Sequence, residues 1–181
     1  MTKLSESNII KGCKAKDQRF QKALVLQNTS VLMTVALRYT NNYHLAQDVL
    51  QESFVKILKN IDKYQATGSF SAWMKKIVIN TALKKKTLKR EKFEKVGLEF
   101  TSEQEIQPDA YDRLNTEEII ELINTLPDGY REVFNLSAIE GYPHKEIAEL
   151  LNITESTSRT QLLKARKLLQ TKLIKLNKIT V

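Results

Sequence analysis

With 181 residues, 41% of them hydrophobic, the chain can bury one large or two small cores, and five Gly and three Pro argue against a β-rich or disordered chain. Its net charge of +8 is uneven: residues 1–100 carry 19 basic and 8 acidic side chains, residues 101–181 carry 10 and 13, so a polyanion is expected to meet the N-terminal half. A lone cysteine, Cys13, excludes an internal disulfide framework or a Cys-based metal centre and fits a reducing cytoplasm. No apolar run approaches the ~20 residues that span a bilayer, and MTKLSESNIIKG lacks the core of a signal peptide, so neither membrane insertion nor a cleaved leader is expected.

Leu, Lys, Glu, Ala and Gln dominate and period-2 alternation is scarce, which predicts an all-α fold. A first helix is predicted over Ser5 to Lys14, capped by Ser5 or Ser7. Asp17 then caps a longer helix, Gln18 to Tyr39, carrying Phe20, Leu24, Leu32, Val35, Ala36 and Tyr39, with Asn28-Thr29-Ser30 as a candidate break. Asn41-Asn42 reads as a turn. From Tyr43 to Ile61, the stripe Ala46, Val49, Leu50, Phe54, Ile57, Leu58 and Ile61 lies opposite a polar face with Asp48, Gln51 and Glu52. Asp62 to Gly68 is a loop, and Ser69 caps a helix running from Phe70 to about Phe93. Trp73, Ile77 and Leu83 are expected inside that helix, with Lys75, Lys76, Lys84, Lys85, Lys86, Lys89 and Arg90 outside.

Glu99 to Asp112 holds five acidic residues, no basic ones and Pro108, the clearest composition shift in the chain. The predicted layout is two small helical domains, 1–95 and 116–181, joined by a flexible acidic linker at 96–115. Thr116 is expected to cap a helix with Ile119, Leu122, Ile123 and Leu126 inside, followed by a turn at Leu126-Pro127-Asp128 and a helix from Gly129 to Glu140.

The stretch Tyr130 to Leu169 carries the most information. Gly141 stands where the preceding helix needs a left-handed residue, and Pro143 suits the first turn of the next helix. There Ile147, Ala148, Leu150 and Leu151 form the apolar stripe, and Asn152 ends it. Thr154 caps a third helix, with Glu155 in its first turn and Leu162, Ala165 and Leu169 facing inward. The N-terminal half of that helix offers Ser156, Thr157, Ser158, Arg159, Thr160 and Gln161. From Arg159 to Lys178 there are seven basic residues and no acidic one. Short helix, tight turn and capped basic helix form the pattern of a helix-turn-helix, in which Arg and Gln read base edges and Lys holds phosphates. A solvated amphipathic helix is the plainer alternative, but it leaves the turn chemistry without a role.

These blocks resemble a known family, the bacterial sigma factors of the extracytoplasmic-function (ECF) type. RYTNNYHLAQDVLQESFVKILKNI (38–61) with FSAWMKKIVINTALKKK (70–86) is similar to sigma region 2, and TLPDGYREVFNLSAIEGYPHKEIAELLNITESTSRTQLLKARKLL (125–169) to region 4. The resemblance implies a cytoplasmic alternative sigma factor whose partners are core RNA polymerase, promoter DNA and an anti-sigma factor, with no small-molecule substrate. By matching position, Asp48, Gln51 and Glu52 would bind polymerase. Asn80 and Lys84 would approach the minus-ten element, with Lys75, Lys76 and Lys85 near phosphates, and the loop Tyr64 to Ser69 would help hold a flipped base. Trp73 stands there as core anchor or as wedge. Thr157, Ser158, Arg159 and Gln161 would read the minus-thirty-five element, with Lys164 and Arg166 on the backbone. The chain departs from the family's pattern at Val25, Thr29 and Val31, at Pro143, which replaces a Ser cap, and at Gln161, where Arg is common.

Two other readings compete. A stand-alone repressor or activator would use only the C-terminal motif and leaves the Asp48 face and the basic Trp73 helix without a role. An enzyme would have to be built on His44 and Asp48, spaced i, i+4. No further ligand motif, Gly-rich phosphate loop or nucleophile motif accompanies them. No catalytic residue, cofactor or metal is therefore expected.

Overall fold

The computed structural model describes residues 4–95 and 114–179, with side chains described for 4–90 and 119–174. Among these residues every regular element is helical. The chain divides into two compact units, Met1–Gln107 and Pro108–Val181. The acidic linker expected at 96–115 lies outside the described residues apart from 114–115, which open a helix.

The first unit holds α1 (Glu6–Lys14), α2 (Gln18–Thr40), α3 (Tyr43–Asn60), a 3₁₀ turn (Ile61–Lys63) and α4 (Phe70–Lys95). Local chemistry sets each start. Ser5 accepts from the Asn8 N–H, Asp17 from Arg19, Asn42 from Leu45 and Ser69 from Ala72. Each side chain satisfies one of the orphan donors of a first turn. Asn41 takes the left-handed conformation that closes α2. The candidate break at Asn28-Thr29-Ser30 does not form. Asn28 Nδ2 and Thr29 Oγ1 donate back to the Leu24 and Val25 carbonyls, a bond that mid-helix polar residues make without leaving the helix.

Helices α2, α3 and α4 pack on one another, and α1 packs against α2 and the 3₁₀ turn. Gly12 permits the α1–α2 approach, since a Cβ there would lie 2.1 Å from the Phe20 ring. The core contains Leu24, Leu32, Val35, Ala36, Val49, Ile57, Ile61, Phe70, Met74, Val78, Ile79 and Ala82. In α4 the inward stripe is displaced from the expected one. Met74 and Val78 are buried where Trp73 and Ile77 were expected, and those two are half-buried; Leu83 is buried as expected. In α3 the expected stripe is buried except for half-buried Leu58.

The second unit holds α5 (Leu114–Asn124), α6 (Asp128–Phe134) with a π-helical turn at Asn135–Ile139, α7 (His144–Leu151) and α8 (Glu155–Ile179). Helix α5 starts two residues before Thr116. Ile119, expected inside, is exposed, while Leu122, Ile123 and Leu126 join Ala165 and Leu169 in the core. Buried Arg131 ties the α5–α6 turn. Its Nη1 donates to the carbonyls of Asn124 and Leu126 at 3.1 and 3.2 Å, and Nη2 pairs with Asp128. The cation thereby satisfies carbonyls left open at the end of α5.

Candidate nucleic-acid and protein interfaces

In the first unit, Asp48 and Gln51 are exposed on α3, but Glu52 does not simply join them. Its carboxylate receives Lys56 Nζ at 2.7 Å from the next turn of α3 and Lys85 Nζ at 3.2 Å from α4. Lys56 also donates to the hydroxyl of buried Thr81 at 3.1 Å, which donates to the Ile77 carbonyl. The Lys56 hydrogen bond, opposed by partial desolvation and assisted by Lys85, holds the Glu52 carboxyl below its ordinary range. The structure adds a partner to each of two expected site residues: Glu52 is a cross-helix clasp as well as part of the α3 face, and Lys85, half-buried, is ion-paired to it in the free chain. The Glu52–Lys56 spacing of i, i+4 was visible in the sequence; the Lys85 partner was not.

Along α4, Asn80 and Lys84 are exposed and one turn apart, with exposed Lys76 one turn earlier; Lys75 is half-buried. At the start of α4 the rings of Tyr64, Phe70 and Trp73 gather within 5.0–5.6 Å of one another, Phe70 and Trp73 stacked at 16°. Tyr64 Oη donates to the Gly68 carbonyl and Lys14 Nζ to the Tyr64 carbonyl, pinning the Tyr64–Ser69 loop at both ends.

In the second unit, α7, the left-handed Asn152 and the Thr154 cap deliver α8 as expected. Gly141 is left-handed at φ +77°. Pro143 occupies the cap position with extended backbone rather than the first turn, so α7 begins at His144. On the first two turns of α8, Ser156, Arg159 and Thr160 are exposed, and Lys164, Arg166 and Lys167 continue the exposed surface. Arg159 reaches back to Glu155 at 2.7 Å, and Thr157 bonds the Thr154 hydroxyl within the cap.

Two expected base-reading residues point elsewhere. Ser158 is fully buried, with Oγ 2.8 Å from His144 Nδ1, so it locks α7 to α8. Gln161 faces α6, where its amide lies 3.3 Å from the position a Gly129 Cβ would take and its Oε1 is buried. The reason is helical spacing: both residues lie on the inward side that includes Leu162, Ala165 and Leu169. Lys172, counted in the basic run, instead donates to Thr125 at the end of α5. Thr160 and Lys167, omitted from the expected contacts, are exposed on the outer side. A helical wheel drawn with Leu162 and Ala165 at its centre would have found them.

The geometry is that of an all-α protein pairing a helix-turn-helix with a second helical unit that presents a polar face on α3 and a basic α4. Comparisons with known proteins give the family. Residues 24–92 match the family model "Sigma-70 region 2", and residues 116–169 match "Sigma-70, region 4". The ECF RNA polymerase sigma factor SigW of Bacillus subtilis (strain 168) is 30% identical over 176 residues, covering 91% of this chain and 94% of SigW. The ECF RNA polymerase sigma-E factor of Haemophilus influenzae is 22% identical, covering 94% and 96%. The sigma factor RpoE of Bartonella quintana, solved with the anti-sigma factor NepR, has the same fold, with a TM-score of 0.62 at 20% identity over 84% of this chain and 95% of that one. The chain belongs to the ECF RNA polymerase sigma factors. It is an alternative sigma factor, which binds core RNA polymerase and directs it to promoter DNA.

Proposed function

We propose that the two units divide the work by face: residues 1–95 engage polymerase and the minus-ten element, and 116–181 the minus-thirty-five element. Asp48 and Gln51, with Glu52 at their edge, dock on core polymerase. Asn80, Lys84 and Lys76 meet melted minus-ten DNA beside the aromatic loop, with Lys75 and Lys85 near phosphates. Arg159 reads bases of the minus-thirty-five element from the first turns of α8, with Thr157 at its N-terminus and Lys164 and Arg166 on phosphates. Ser158 and Gln161 support the helix from within. The observation that carries this reading is the outward projection of Asp48, Asn80, Lys84, Arg159 and Lys164 from α3, α4 and α8 within the matched regions. The protein catalyses no reaction of its own; it positions polymerase and helps melt the promoter. Among the described residues no helix is long and apolar enough to cross a membrane, and the proposed place of action is the cytoplasm, where polymerase is. RpoE is solved with the anti-sigma factor NepR, and CnrH with the cytosolic domain of CnrY; a partner of the anti-sigma class is proposed here.

The deciding experiment is Asp48→Arg combined with Gln51→Arg, which leaves the Glu52 clasp in place. Charge introduced on an exposed face should lower affinity for core polymerase more than tenfold without shifting the thermal midpoint. Unchanged affinity in a binding titration rejects the α3 face as the polymerase contact.

A further inference from the structure

The clasp at Glu52 joins two surfaces assigned to different ligands. Its carboxylate sits on α3 beside Asp48 and Gln51, and one of its two cations, Lys85, comes from α4, next in sequence to exposed Lys84. The two cations are held differently. Lys56 is at 2.7 Å, on the same helix, and has a second anchor in Thr81; Lys85 is at 3.2 Å and crosses between helices. Lys85 is the partner that can leave without stranding the carboxylate, because Lys56 remains. The side chains are 28% and 41% exposed, so separating them costs little compared with a buried pair.

We propose that Glu52 is a relay between the two faces. In the free chain it holds Lys85 back, and a basic group of core polymerase that draws on the carboxylate releases Lys85 toward a promoter phosphate. The inference rests on the α3 face being the polymerase contact. Because coupling between two ligands is reciprocal, promoter DNA then tightens the hold on polymerase by the same factor. An exposed pair limits that factor to about two- to fivefold. The relay disfavours DNA binding by the chain before polymerase is engaged, using one lysine rather than a moving domain.

The test is competitive lysine acetylation of the full-length chain, read by mass spectrometry as the Lys85 rate relative to Lys84. Binding of core polymerase without DNA should raise that ratio about two- to fivefold, and promoter DNA should then lower it. Glu52→Gln, which keeps the side chain's size, should raise the ratio in the free chain and abolish any further change on core binding. A wild-type ratio that is unchanged or lower when core binds overturns the relay. That result needs only the wild-type chain, so it stands even if Glu52→Gln fails to fold. Failure of the underlying reading looks different: the Asp48→Arg, Gln51→Arg chain would still bind core normally, whatever Lys85 does.

Discussion

Helices α4 and α8 are near twins in length and charge, 26 and 25 residues, each with an apolar stripe and a basic exterior. They are built into their units differently. The Lys85 of α4 is drawn into a network with α3, and the helix buries Met74, Val78, Ile79 and Ala82 between two neighbours. The first turns of α8 bury only Ser158 and Leu162, and the Arg159–Glu155 ion pair there stays within the helix. A helix packed on two sides has few outward positions, and its charges are spent partly on its neighbours. A helix that buries one narrow stripe, as α8 does with Ser158, Leu162, Ala165 and Leu169, keeps a broad surface for an external ligand.

That contrast can be broken most forcefully in the cores. Met74→Ala should cost about 2–5 kcal/mol of unfolding free energy, and Ile77→Ala roughly 1 kcal/mol or less, because Met74 is buried and Ile77 half-buried. The same pairing in α8, Leu162→Ala against Leu163→Ala, should give a loss of about 2–4 kcal/mol against a change within about 0.5 kcal/mol, since Leu163 is 70% exposed. Denaturant titration decides both, and equal costs within either pair would refute the assigned stripe.

A smaller effect is expected on the ligand side of α8. Arg159→Ala should remove about 1–3 kcal/mol of discrimination between cognate and scrambled minus-thirty-five elements, whereas Lys164→Ala weakens all sequences alike. Competition binding with mutated elements measures this, and an even loss for Arg159→Ala would remove its base-reading role.

The smallest effect concerns the clasp of α4. Glu52 has its carboxyl lowered in the folded chain, so its contribution to stability is present above the ordinary value of 4.5 and is lost as pH falls through the folded value. The stability gap between wild type and Glu52→Gln should therefore narrow on acidification below about pH 4.5. At 41% exposure the gap at neutral pH is below about 1 kcal/mol. A gap that widens with acid would contradict the clasp.

Capping chemistry and wide apolar stripes were legible residue by residue. Ser5, Asp17, Ser69 and Thr154 cap where they were expected, and Asn152 and Gly141 turn left-handed, because these effects depend on neighbours a few residues away. The helical class, the two blocks and the outward Arg159 and Lys164 followed from the same local periodicity. What the sequence left open was everything that depends on which helix stands opposite. The stripe of α4 moved from Trp73 and Ile77 to Met74 and Val78 because both sides of that helix are apolar enough to bury, and the packing of α2 and α3 chose between them. Ser158 and Gln161 are good base readers by residue type, and only their placement against α7 and α6 removes them. Lys85 looked like any other lysine of a basic helix until α3 brought a carboxylate to it from 33 positions away. Short-range hydrogen bonding and periodicity are written along the chain; the pairing of charges and faces across helices exists only once the helices have packed.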